Sequence, residues 1–170
     1  MKFVRHVYIS CWHHSDYESA AMWQLYLRDH GIAVISSYGR MRQALGGVEP
    51  IFVGRVHYVD YDTDAIDESS AVTPFLYKRN SFQHEREVRA LISRHPLTGE
   101  RDDDGHEILD LEQDSPLGLP IDADLSTLIA EVRVAPTAPG WFADTVLDVT
   151  RRYGLNVAVE QSVLGRSPFY

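Results

Sequence analysis

Cysteine is almost missing from these 170 residues: Cys11 stands alone, so no intrachain disulfide can form. That fits a reducing compartment, and we read the chain as cytoplasmic. No apolar run approaches the roughly 20 residues that a membrane-spanning helix needs, which argues against a membrane partner. Met1 to Trp12 mixes charged and polar residues into its apolar stretch, unlike a signal peptide. No G-x-x-x-x-G-K-[ST] phosphate loop occurs, and Gly39, Gly46 and Gly47 read as turn glycines. Internal repeats and low-complexity segments are absent as well. Basic charge is scarce: 16 Lys and Arg against 25 Asp and Glu leave a formal charge of −9. That balance argues against non-specific binding to nucleic acid or to an anionic membrane. Much of the acid lies between Glu100 and Asp124, so the rest of the chain is nearer neutrality.

What is present suffices for a core. The chain is 44% hydrophobic, and its length fits one domain spanning residues 1–170, with an insertion. Phe3 to Trp12 is rich in β-branched and aromatic residues and reads as a strand. Val7, Ile9 and Cys11 fall on one face of it, and His6, Tyr8, Ser10 and Trp12 on the other. No turn or cap precedes this strand, as in a chain with a clipped start. Ser15-Asp-Tyr-Glu18 has the spacing of a capping box and predicts a helix from Asp16 to Asp29. Met22, Leu25 and Tyr26 form its apolar stripe, Trp23 lies near the stripe's edge, and Gly31 closes it as an αL residue.

Ile32 to Ser36 predicts a short strand, and Tyr38 to Leu45 a short helix stopped by Gly46-Gly47. Ile51 to Tyr61 is apolar on both faces and predicts the long central strand. Asp62 to Thr73 predicts a loop, and Pro74 the start of a helix to Phe82. Glu85 to Ile92 fits a helix with a Glu85–Arg89 pair or a strand with Glu85, Glu87 and Arg89 on one face. The clean apolar alternation favours the strand. His95 to Pro116 reads as a flexible insertion or hairpin tip. Asp124 caps one helical turn to Leu128, Ile129 to Val134 is a strand, and Pro136 to Gly140 is a rigid turn. Trp141 to Tyr153 is a helix with Phe142, Val146, Val149 and Tyr153 on its stripe, and Asn156 to Val163 is the last strand. Irregular alternation of the two element types predicts an α+β domain, a mixed β-sheet flanked by helices.

Several stretches carry a resemblance. Tyr8-Ile-Ser-Cys-Trp12, Ser19-Ala-Ala-Met-Trp23, Tyr26, Gly31-Ile32, Val59-Asp-Tyr61, Lys78-Arg79, Phe82, His84-Glu-Arg-Glu87, Arg89, Val134-Ala-Pro136 and Trp141-Phe142 carry it by their order and spacing. Together they resemble the bacterial domain of unknown function 2971 family, from Val7 to Leu164. Family members carry an upstream segment with an Asn/Asp-Pro-Phe-Glu-type motif, and this sequence begins after it. The resemblance implies fold and bacterial origin; no established activity comes with it. A remoter resemblance is to ADP-ribosyltransferase-like folds, which place aromatic residues and a late Glu around a cleft in a split sheet.

The richest constellation joins Trp12, Trp23, Tyr26, Arg79, Glu85, Glu87 and Arg89. As a site, its aromatic faces would hold a base or nicotinamide ring, with Arg79 on a phosphate. Arg89 would complete the ligand-binding set, and Glu85 and Glu87 would be the catalytic carboxylates. As architecture, the aromatic residues are core and the Glu and Arg side chains form an ion-pair network. Cys11, His13, His14 and His84 offer only a Cys-x-His fragment of a zinc site, and Asp102-Asp-Asp104 with Glu107 does not match a calcium loop. No metal is expected, and the sequence names no cofactor. Two functions compete: an enzyme or degenerate enzyme acting on a nucleotide-type ligand, and a non-catalytic binding module with an unspecified protein partner.

Overall fold

Strands and helices follow one another without a repeating unit, and the fold is α+β. The computed structural model describes residues 3–46 and 50–167. In chain order the elements are β1 (Val7–His13), α1 (Ala20–Tyr26), β2 (Ile32–Ile35), α2 (Tyr38–Leu45), β3 (Phe52–Arg55), β4 (His57–Val59) and β5 (Tyr77–Arg79). Next come β6 (Glu87–Ser93), β7 (Leu97–Arg101), β8 (Glu107–Leu109), α3 (Leu125–Leu128), β9 (Glu131–Val134), α4 (Gly140–Arg152) and β10 (Ala158–Gln161). Short 3-10 turns occupy Phe3–His6, Thr73–Leu76, Asn80–Glu85 and Val163–Gly165. The chain gathers into two compact units, Met1–His14 with Glu49–Ile121 and Ser15–Val48 with Asp122–Tyr170.

The first unit is built on an antiparallel sheet in the order β1–β6–β3. The centre is β6, not the Ile51–Tyr61 stretch that the sequence pointed to. Ala90, Leu91 and Ile92 are buried there, with Leu91 fully enclosed, so both faces of β6 are covered. The predicted long strand divides at buried Val56. Its N–H donates to the Glu87 carbonyl at 3.0 Å, and the chain then leaves the sheet. The second half of the divided stretch, β4, pairs in parallel with β5 instead. The helix predicted after Pro74 is also replaced, by a 3-10 turn, β5 and a second 3-10 turn. The predicted insertion holds an antiparallel hairpin, β7 with β8, whose residues are all exposed.

The second unit carries a mixed sheet, β10–β9–β2, with β10 parallel and β2 antiparallel to β9. Val132, Val134 and Ala135 are its buried centre. The cap of α1 is Ser19, whose Oγ accepts from Met22 N, and the helix stops at Tyr26, about half as long as predicted. The predicted capping carboxylate, Glu18, is engaged elsewhere: it faces Arg133 and accepts from Val163 N and Trp23 Nε1. Ser15 Oγ accepts only from Tyr17 N. Gly31 is not in a left-handed conformation; a Cβ there would lie 2.6 Å from Leu27 Cδ1, so any side chain at this position would displace the end of Leu27.

The helix α2 matches its predicted bounds and ends at Gly46; Gly47 lies outside the described residues. Asp124 caps α3 as its spacing predicted, accepting from Ser126 N and Thr127 N. The longest helix, α4, lies against β10, but its inward stripe is rotated from the predicted one. Thr150 is buried, while Val149 and Tyr153 are exposed. Gly154 then takes φ +73°, the left-handed residue that ends the helix.

Candidate functional site

Side chains on opposing strand positions share a face of a sheet. The register pairs Cys11 with Arg89 and His13 with Glu87, and Gly54 with Arg89 on the other side. One face of the first unit's sheet therefore presents Glu87 and Arg89 together. Trp12 pairs with Val88, so it lies on the opposite face, where its Nε1 donates to Ser10 Oγ at 3.0 Å. The sequence had Trp12 on that opposite face; grouping it with the carboxylates is not what the sheet does.

Glu85 reaches the same cluster from outside the strand. It ends a 3-10 turn, and Arg86 then adopts φ 44°, ψ 51°, a left-handed conformation rare for a residue with a Cβ. This reversal brings the Glu85 and Glu87 carboxyl groups to one cation, Lys78. Lys78 Nζ donates to Glu85 Oε2 and, at 2.8 Å, to Glu87 Oε1. Arg89 donates through Nε to Glu87 Oε2 at 2.6 Å and through its Nη1 to the Phe75 carbonyl at 2.6 Å. Behind them, Glu87 N donates to Tyr58 Oη at 2.8 Å, and His13 Nδ1 lies 2.6 Å from the Glu85 carbonyl. A Cβ on Gly54 would stand 2.7 Å from Leu76 Cδ1, so the missing side chain lets Leu76 close over this part of the sheet.

Two carboxyl groups thus face two cations. Glu85 is 6% exposed and Glu87 is 9% exposed, which makes this a buried cluster rather than a surface one. Burial by itself pushes the Glu87 pKa up. Hydrogen bonding with Glu85, Lys78 and Arg89 outweighs it and holds the pKa at about 2. Lys78 moves the other way: burial lowers its pKa, and the hydrogen bonds to Glu85 and Glu87 overcome that and raise it. Partial burial, then the negative Glu87, raise the Cys11 thiol, which leaves less thiolate rather than an activated nucleophile.

The remaining predicted site residues lie elsewhere. Arg79 alternates with Lys78 along β5, so it faces away from the carboxyl groups, and its guanidinium sits 4.7 Å from the centre of the Tyr61 ring. Trp23 and Tyr26 belong to the second unit, where Trp23 Nε1 donates to Glu18. The structure therefore brings together Glu85, Glu87 and Arg89 of the seven. Lys78, Tyr58 and the Phe75 carbonyl complete the cluster and were not assigned to it from sequence. Lys78 was within reach of sequence reasoning: had residues 77–79 been read as a strand, alternation would have allowed only one of Lys78 and Arg79 to face the carboxyl groups. A backbone carbonyl such as that of Phe75 leaves no sequence signal. Among the described residues no three His, Cys, Asp or Glu side chains converge to hold a metal ion. His14 Nε2 instead accepts from Arg55 at 3.1 Å, and Lys78 Nζ also lies 4.7 Å from the Phe82 ring centre. No protein-family model, curated protein or solved structure matches this chain.

Proposed function

We propose that this protein is a non-catalytic binding module, bacterial and cytoplasmic, of the type described by the domain of unknown function 2971 family. One observation carries the non-catalytic half. A general base works best with a pKa near the operating pH, whereas Glu87 is held at about 2 with both carboxylate oxygens taken by Lys78 and Arg89. Such a carboxylate has little tendency to take a proton from a substrate. The cluster instead ties β5, β6 and the Thr73–Leu76 turn together.

The binding half rests on the second unit. There β2 is an edge strand, and Ile32–Ile35 contains no charge and no proline. Ile32 is 46% and Val34 39% exposed. Edge strands of this kind accept a further strand from an extended partner segment. No helix among the described residues is long and apolar enough to cross a membrane.

A second reading, an enzyme or degenerate enzyme for a nucleotide-type ligand, draws on the cation–aromatic pairs around β5. Lys78 with Phe82 and Arg79 with Tyr61 have the chemistry to meet a phosphate and a planar base. Incubation with ATP, GTP and NAD+, followed by chromatographic analysis of products, separates the two. The module reading expects no consumption of any of them, whether or not one binds. Consumption by the wild type that Glu87→Gln abolishes, in a variant that still folds, overturns it.

A further inference from the structure

We propose that Arg55 and Arg86 form a site for the phosphoryl group of a small ligand, at the end of the first unit's sheet where β1 and β3 finish and β6 begins. Arg55 is the last residue of β3 and partners Val88, whose other neighbour is Trp12. It therefore stands on the face of the sheet away from Glu87 and Arg89. Its Nη2 donates to His14 Nε2 at 3.1 Å, so the guanidinium is held by a neutral acceptor rather than by a carboxylate. Both residues are exposed. Arg86 reaches the same corner through its backbone, where its carbonyl accepts from His14 N at 2.9 Å. His14 thus touches both arginines, one through its ring and the other through its main chain.

Two observations single out this pair. The chain holds 25 Asp and Glu against 16 Lys and Arg, so carboxylates are plentiful. Among the described residues, none of them forms an ion pair with Arg55 or Arg86. The carboxyl groups nearest in sequence to Arg86, those of Glu85 and Glu87, are buried and held by Lys78 and Arg89. The second observation is that Arg86, at φ 44°, is the one left-handed residue with a Cβ among the described residues. Glycine would hold that conformation without strain, whereas arginine presents an exposed guanidinium at a cost in stability. Backbone strain of this kind gathers at ligand-binding positions.

A guanidinium is a planar fork of N–H donors that matches the oxygens of a phosphoryl group. A phosphate monoester carries roughly −1.5 to −2 charge at neutral pH, which two arginines balance. His14, with Nε2 engaged, holds Arg55 in place. The site lies wholly in the first unit, so its ligand is separate from any strand that joins β2 in the second.

Isothermal titration of the full chain with inorganic pyrophosphate, in a phosphate-free buffer of low ionic strength, tests this. The wild type is expected to bind saturably at a single site. Arg55→Gln and Arg86→Gly each remove one guanidinium. The first alters an exposed side chain and the second relieves the strain at φ 44°, so both are expected to keep the fold, which their urea midpoints check. Affinity should fall about tenfold or more in each, the effect of losing a charge-assisted hydrogen bond. Arg101→Gln removes the same charge from the exposed β7–β8 hairpin and should leave affinity unchanged. Three results overturn the site: no saturable binding by the wild type, undiminished affinity in either arginine variant, or an equal loss in Arg101→Gln, which would make the attraction a general effect of charge.

Discussion

Replacing Glu87 by Gln keeps the volume of the side chain and removes its charge. Glu87 is 9% exposed and takes Lys78 on one oxygen at 2.8 Å and Arg89 on the other at 2.6 Å. The variant leaves Arg89 facing a neutral amide and Lys78 with Glu85 alone. Removing one partner of a buried charge pair costs about 3–5 kcal/mol, because the surviving charge loses its compensation. The pKa gives a second route to the magnitude. A fall from 4.5 to about 2, at 1.36 kcal/mol per unit, corresponds to roughly 3 kcal/mol. Urea denaturation at neutral pH measures the loss directly. With a slope of about 1–3 kcal/mol per M, the midpoint is expected to fall by at least about 1 M. The pH dependence has a defined sign. The folded pKa of Glu87 lies below its unfolded value, so its contribution is complete above 4.5 and fades as the pH falls towards about 2. The gap between wild type and Glu87→Gln should therefore close over that interval. A loss below about 1 kcal/mol at neutral pH, the scale of an exposed pair, would refute the reasoning.

The first unit supplies four further outcomes. Replacing residues 97–109 by a short Gly/Ser turn should leave the urea midpoint almost unchanged, since the hairpin is exposed. Extending the replacement to 95–116 removes His95 and Ser115 from buried His6 and should cost about 1–3 kcal/mol. Arg86→Gly should be nearly neutral or stabilising in the same assay, because glycine tolerates φ 44°. Arg86→Val should be destabilising in the same assay, because β-branching adds strain to the left-handed conformation that arginine already bears.

The elements that the sequence placed well are those whose signals are local. Asp124 caps α3, α2 keeps its bounds, and Gly154 ends α4, because each depends on residues a few positions apart. The misplacements share a different cause, which is tertiary competition for a local group. Glu18 has the spacing of a capping carboxylate, but Arg133, 115 positions further along the chain, draws it away, and α1 starts at Ala20 instead. Val56 lies in a continuous apolar run, yet its N–H bonds to the Glu87 carbonyl and the run becomes two strands in two sheets. At the candidate site, Glu87 with Arg89 was legible from strand alternation. Glu85 joins them through the left-handed turn at Arg86, which no propensity at arginine announces. The assignment of Arg79 failed because Tyr77–Arg79 forms a strand where Pro74 had indicated a helix.

The central claim is that the Glu85–Glu87 cluster is ionic architecture and not a proton-transfer site. It is tested most directly by tracking the side-chain carboxyl carbon of Glu87 by NMR across an acid titration of the folded protein. The account predicts a midpoint near 2, with no inflection between 4.5 and neutrality. A midpoint at or above 4.5 would mean that Lys78 and Arg89 do not hold the carboxylate in its charged form, and would contradict it.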